Sequence, residues 1–111
     1  MGKGWAMDEM EMRSEELRKL FFNVDESERK FIDKLIEEVS FLEFQMRRLR
    51  KMPFIVRHPR NPDLMKSTPA AKQYKECSQS YMNAIRILLT TLRKTDTSAQ
   101  DELLKKLEEF M

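Results

Sequence analysis

Apolar residues recur at Ile32, Leu35, Val39, Leu42, Met46 and Leu49, with spacings that alternate between three and four until Pro53 breaks the run. That spacing holds one stripe on one side of an α-helix and predicts a helix of roughly 26 residues, about 39 Å long at 1.5 Å per residue. Asp25 followed by Glu28 has the form of a capping box, and Glu26 and Glu28 set negative charge against the helix N-terminus, so the helix should begin here. A second stripe runs Ala71, Tyr74, Ser78, Tyr81, Ile85, Leu88 and Leu92 in the same rhythm. Thr68 stands where its N-cap belongs, and Pro69 takes the first helical position, where a missing N–H costs nothing. Two such seams joined by a single connection predict an antiparallel helical hairpin over residues 25–95.

The connection, residues 53–67, contains Pro53, Pro59 and Pro62 and is long for a helix-to-helix link, so it reads as a Pro-rich loop of the functional kind. Shorter elements flank the hairpin. In the N-terminal segment, residues 1–24, the stretch from Asp8 to Phe22 permits a helix, with Met10, Leu17, Leu20 and Phe21 on one side and Asn23 as its stop. In residues 96–111, Ser98 and Asp101 form a weak capping box ahead of Leu103, Leu104, Leu107 and Phe110, an amphipathic C-terminal helix.

Each seam carries more apolar surface than one partner helix can cover. At 100° per residue Phe44 lies opposite the first seam, Phe41 about 120° from it, and Ile87 about 140° from the second, while Ile36 and Met82 widen the stripes. Burying a Phe is worth roughly 1.5–3 kcal/mol, a large share of a small domain's stability. Either the terminal helices fold back as third and fourth members of a bundle, or neighbouring copies cover these positions. The shortness and charge of the flanking helices favour the second, making Ile36, Phe41, Phe44, Met82 and Ile87 the expected oligomer interface. Nine methionines suit either arrangement, since Met fills irregular gaps.

Composition narrows the class further. The chain has 111 residues, room for one small domain, and its two glycines are Gly2 and Gly4. A β-sandwich, barrel or doubly wound α/β domain ordinarily needs glycine in its turns, so an all-α fold is expected. No apolar run is long enough for a transmembrane helix and the first 30 residues are acidic, so a soluble, cytoplasmic protein without a membrane partner is expected. A lone Cys77 and a lone His58 supply neither a disulfide nor an ordinary zinc site, and no metal or cofactor is expected. Cys77 reads as a small core residue and His58 as a loop or phosphate-contacting one. No phosphate-cradling Gly loop or motif-spaced nucleophile is present, and the neighbouring acids Glu15-Glu16 and Glu37-Glu38 diverge on a helix, so catalysis is not expected.

Net charge is +2, but it is unevenly spread. Residues 8–38 carry 11 acids against 6 bases, and residues 96–111 five acids against two bases. Between them, residues 46–75 hold nine cations (Arg47, Arg48, Arg50, Lys51, Arg57, Arg60, Lys66, Lys72 and Lys75) against Asp63 alone. A hairpin would gather all nine at one end. Cations near a helix C-terminus and solvated charged faces are ordinary, yet an uncompensated cluster of this size suits a polyanion. Five arginines with a single interleaved aromatic, Phe54, favour phosphate contact on duplex nucleic acid over base stacking on single strands. An acidic protein surface, including that of another copy, is the alternative partner.

Within this frame, Arg60-Asn61-Pro62-Asp63, then Ser67-Thr68-Pro69-Ala70-Ala71-Lys72-Gln73-Tyr74-Lys75-Glu76, then Gln79-Ser80-Tyr81 and the run to Leu92, resembles the central region of phage terminase small subunits. In that family an Asn-Pro in the connecting loop precedes a helix often marked by an Ala, Lys, Tyr pattern and a later Tyr. The resemblance spans about residues 31–95. It implies a non-catalytic DNA-packaging component of the host-cell cytoplasm: a homo-oligomer, commonly a ring, that binds double-stranded DNA and delivers it to a large terminase subunit. The hairpin would be the oligomerisation core, and Leu103, Leu104, Leu107 and Phe110 the contact for the large subunit. Many family members carry a separate N-terminal helix-turn-helix, and residues 1–24 are too short and acidic to be one. DNA contact therefore falls to the nine cations by charge and not by family likeness. A helical protein–protein adaptor that binds no DNA is the competing expectation.

Overall fold

The computed structural model describes residues 2–111, with side chains from Asp8 onward; Met1 and the Trp5 side chain lie outside the described residues. Four α-helices form it: α1 (Gly2–Arg18), α2 (Glu26–Leu49), α3 (Pro69–Thr95) and α4 (Thr97–Phe110). A short antiparallel ribbon, β1 (Ile55–Arg57) and β2 (Met65–Ser67), joins α2 to α3. The helical hairpin is α2 against α3, and both seams face inward, with Val39, Leu88 and Leu92 fully buried. The molecule is elongated, 59 × 34 × 23 Å.

The terminal helices fold back. α1 packs along α2 and α4 along α3, so Leu17, Phe21 and Leu103 join the same core as the hairpin. This changes what is available to neighbours. Ile36, expected at an oligomer interface, is fully buried in the chain's own core, because α1 covers that flank of α2. Phe44 is half-buried beside α1 instead of facing solvent opposite the seam. Phe41, Met82 and Ile87 remain exposed, at 45%, 47% and 42%. In α4, Leu103 is fully buried and Leu107 and Phe110 are half-buried, so of the four residues expected to meet a partner, Leu104 alone stands open at 44%.

Local chemistry sets the helix ends. Asp25 occupies the N-cap of α2 but its side chain makes no capping hydrogen bond, so the expected capping box is not formed. The preceding turn is held instead by Arg29, whose Nη2 donates to the carbonyls of Phe22 and Val24 at 3.3 and 3.2 Å. Thr68 caps α3 as expected, its Oγ1 accepting from the Ala71 N–H at 3.2 Å, and the same hydroxyl donates to the Pro53 carbonyl at 2.8 Å. One side chain thereby starts α3 and closes the ribbon. At the far end Asp96, in extended conformation with φ −160° and ψ 103°, ends α3 and caps α4 through its carboxylate and the Ala99 N–H. It takes the place of the expected Ser98–Asp101 box.

The ribbon is the departure from an all-α expectation. Its register pairs Ile55 with Ser67, Val56 with Lys66 and Arg57 with Met65. The loop between the strands avoids left-handed backbone: Leu64 N–H bonds the Asn61 carbonyl at 3.0 Å, Asn61 Oδ1 accepts from the Asp63 N–H at 3.2 Å, and Pro62 supplies its fixed φ between them. No residue among those described has a positive φ, so a hairpin of this length forms without glycine.

Candidate nucleic-acid interface

The end of α2 and the start of α3 meet where the ribbon leaves the bundle, and this brings the nine cations of residues 46–75 to one end of the molecule. Arg47, Arg48 and Arg50 close α2 with Lys51 just beyond, Arg57, Arg60 and Lys66 belong to the ribbon and its loop, and Lys72 and Lys75 lie on the first turns of α3. All nine are exposed. Among the described residues none of the nine pairs with a carboxylate; elsewhere Arg13, Arg18, Lys105 and Lys106 do, while Lys19, Arg29, Lys30, Lys34, Arg86, Arg93 and Lys94 do not. The tip is therefore a cationic surface without a direct ion pair among the described residues, with Glu109 lining the same cleft as Arg47.

Three aromatic rings anchor its root. Phe54 and Tyr74 pack at 5.3 Å between centroids, and the Arg50 guanidinium lies 5.7 Å from the Tyr74 ring and 5.0 Å from the Phe110 ring while its Nε donates to the Tyr74 hydroxyl at 2.9 Å. Arg47 stands 5.8 Å from Phe110, and Arg48 donates to Gln45 Oε1. Phe110, expected to meet a partner, packs on Tyr81 at 5.4 Å and shares these arginines, so the end of α4 braces the tip from within the chain. Such contacts hold Arg47 and Arg50 in place without neutralising them. His58 is exposed in the ribbon loop, its Nδ1 accepting from the Arg60 N–H at 3.1 Å, and Cys77 sits half-buried against the core as expected.

The ribbon adds apolar surface that no helical periodicity announces. Ile55, Val56, Leu64 and Met65 are 58%, 52%, 57% and 59% exposed. Their signal was a short β-branched Ile-Val pair between prolines, too brief to stand out beside helices of more than twenty residues.

A second polar constellation lies deeper. Glu43, on α2, accepts from Arg13 Nε at 2.8 Å and Arg13 Nη2 at 3.1 Å, and from the Tyr81 hydroxyl at 2.7 Å. Arg13 Nη2 also donates to the Lys106 carbonyl at 3.1 Å, so one carboxylate and one guanidinium link all four helices. Ser14 donates to Ser40 beside them. Burial and the Glu43 carboxylate together push the Tyr81 phenol far above its ordinary pKa. Burial acts to lower the Arg13 guanidinium, but Glu43 outweighs it and the net direction is up. The hydrogen bond from Lys106 holds Glu16 below the usual carboxylate range. A cleft of about 350 Å³ opens above the pair, walled by Met10, Met12, Phe44, Arg47 and Phe110. Every buried side-chain polar atom among the described residues is partnered, which makes this network structural.

No helix of the described residues is long and apolar enough to cross a membrane. Comparison with known protein families, characterised proteins and solved structures finds no match to this chain.

Proposed function

We propose that this chain is a non-catalytic DNA-packaging component of the terminase small-subunit kind, which self-associates and binds double-stranded DNA through its cationic tip. The observation that carries the DNA half is the gathering of nine exposed cations at one end of the molecule, none with a carboxylate partner among the described residues. A surface of that charge attracts phosphates and releases their counterions, so binding falls steeply with salt. The packaging role rests on the likeness of about residues 31–95 to that family, and the large terminase subunit is the partner it implies, reached through Leu104 and the exposed side of α4. Self-association is supported by Phe41, Met82 and Ile87, which the folded-back terminal helices leave open.

A salt-dependent gel shift tests the reading. Duplex DNA should bind at low salt without sequence preference, and replacing Arg47, Arg48, Arg50 and Lys51 together should flatten the dependence of log K on log salt, each lost phosphate contact removing a slope of about 0.9. Absence of binding at low salt refutes the DNA half and leaves the protein–protein adaptor, for which salt alters assembly and DNA does nothing. Light scattering that returns a 13.4 kDa particle at micromolar concentration refutes self-association.

A further inference from the structure

A two-stranded ribbon alone in water is marginal, and natural ribbons gain stability by covering one face. Here neither face is covered. The register places Ile55, Arg57, Met65 and Ser67 on one face and Val56 and Lys66 on the other, where the bonded pair His58 and Leu64 follows. Each face thus combines two open apolar side chains with a cation, and every strand residue is exposed. The loop adds Arg60 and two prolines, with Asp63 its one acid.

We propose that the ribbon is an arm that inserts into the minor groove of duplex DNA, with its apolar side chains wedged against base steps and its cations on the flanking phosphates. This rests on the duplex-binding reading above. Charge selects the occupant: an acidic protein surface would satisfy Arg57, Arg60 and Lys66 but would not bury two apolar pairs on opposite faces, whereas a groove encloses both faces of a ribbon between phosphate walls. Side-chain chemistry selects the mode. Of the side chains that read base edges in the major groove, the ribbon offers Arg57 and Arg60, which serve phosphates equally well, and one carboxamide, Asn61, whose oxygen is already engaged by the Asp63 N–H. Apolar wedges such as Ile, Leu, Met and Pro instead unstack base steps from the minor groove and kink the duplex by roughly 20–90°. The root is built to carry such a load, since Thr68 ties the Pro53 carbonyl to the α3 cap and the Phe54–Tyr74 pair packs beneath it.

The test is a short duplex with a dye at each end and a fluorescent adenine analogue at its centre, titrated with the full chain. Binding should shorten the end-to-end distance and raise the analogue's fluorescence as its stack opens. A variant with Ile55→Thr, Val56→Thr, Leu64→Thr and Met65→Thr keeps strand propensity and should bind with an unchanged salt slope but without bending or unstacking. The two pairs Ile55/Met65 and Val56/Leu64, replaced separately, guard against loss of the ribbon itself. Binding that leaves the duplex straight and stacked overturns the proposal while the DNA reading stands. Loss of self-association in the Thr variant, with DNA binding unaltered, assigns the ribbon to a second copy and also overturns it. Absence of any binding at low salt takes both readings down together.

Discussion

Replacing Glu43 with Leu removes the acceptor that joins α2 to Arg13 of α1 and Tyr81 of α3. The Glu43 side chain is 4% exposed and that of Arg13 is 17% exposed. Removing one partner of a buried ion pair costs about 3–5 kcal/mol, because the remaining charge is stranded in a poorly solvated site. Arg13 keeps the Lys106 carbonyl and some access to water, which draws the cost toward the lower end. The Tyr81 hydroxyl, at 1% residue exposure, loses its one partner among the described residues, and an unsatisfied buried hydroxyl adds about 1–3 kcal/mol. Leu recovers part of this through apolar burial, so Glu43→Leu should lose about 3–4 kcal/mol, a sizeable fraction of the roughly 5–15 kcal/mol that holds a domain of this size. Urea denaturation followed by far-UV circular dichroism reads the change, at one protein concentration because self-association would shift the midpoint. The companion variant Arg13→Met, Glu43→Leu, Tyr81→Phe removes the charges and the hydroxyl together and should lie within about 1 kcal/mol of the parent. A single variant within about 1 kcal/mol of the parent, or a triple variant as unstable as the single, refutes the account of Glu43 as a desolvated hub.

Thr68→Val should cost about 1–2 kcal/mol through the lost α3 cap, and amide exchange should quicken across the ribbon, whose closing bond runs from the Thr68 N–H to the Phe54 carbonyl. Tyr81 holds its proton in the fold above the pH of about 10 at which it ionises in the unfolded chain, so its contribution to stability is whole below pH 10. Above that the unfolded state binds fewer protons and stability falls by about 1.4 kcal/mol per pH unit, a loss that Tyr81→Phe should abolish in alkaline denaturation. Leu103→Ala should cost about 2–5 kcal/mol and Leu104→Ala less than about 0.5, by thermal denaturation, because α4 presents the first to the core and the second to solvent.

The hairpin was legible because its stripes repeat over six and seven positions, about five and six helical turns, and Thr68-Pro69 marks a helix start by chemistry that works within four residues. The ribbon was not, since three-residue strands carry too little periodicity and the usual glycine of a tight hairpin is replaced by Asn61-Pro62-Asp63, which turns the chain at negative φ. Helical spacing marks the leftover apolar residues but not what covers them. Ile36 lies on the flank that α1 takes and Phe41 on the one it leaves, a distinction set by the path through Phe22–Val24. Glu43 was recoverable in part: it falls one turn after Val39, beside the seam, where a lone acid calls for a partner. Its partners, 30 and 38 residues away, are fixed by packing alone. Of the candidate site, the cations were readable as a charge run, while the carboxylates that neutralise Arg13, Arg18 and Lys106 elsewhere come from different helices and emerge only in three dimensions.

Charge along the long axis bears on how copies would meet. Asp25, Glu26 and Glu28 begin α2 and Arg47, Arg48 and Arg50 end it, so about 33 Å of helix separates the two groups at 1.5 Å per residue. The screening length at physiological ionic strength is about 8 Å, so the acids cannot offset the tip and its positive charge acts as if they were absent. Tips of neighbouring copies then repel, and the faces left for self-association are the flanks bearing Phe41, Met82 and Ile87. Contact through apolar flanks responds to salt in the opposite sense from contact with phosphate: added salt screens the tip-to-tip repulsion and leaves the apolar contact intact, while it dissolves DNA binding. Sedimentation across a salt series should therefore find the assembly unchanged or larger at concentrations where the gel shift is gone. An assembly that falls apart in step with DNA binding would mean that copies join acid end to cationic tip, and that the tip is occupied by protein before any duplex arrives.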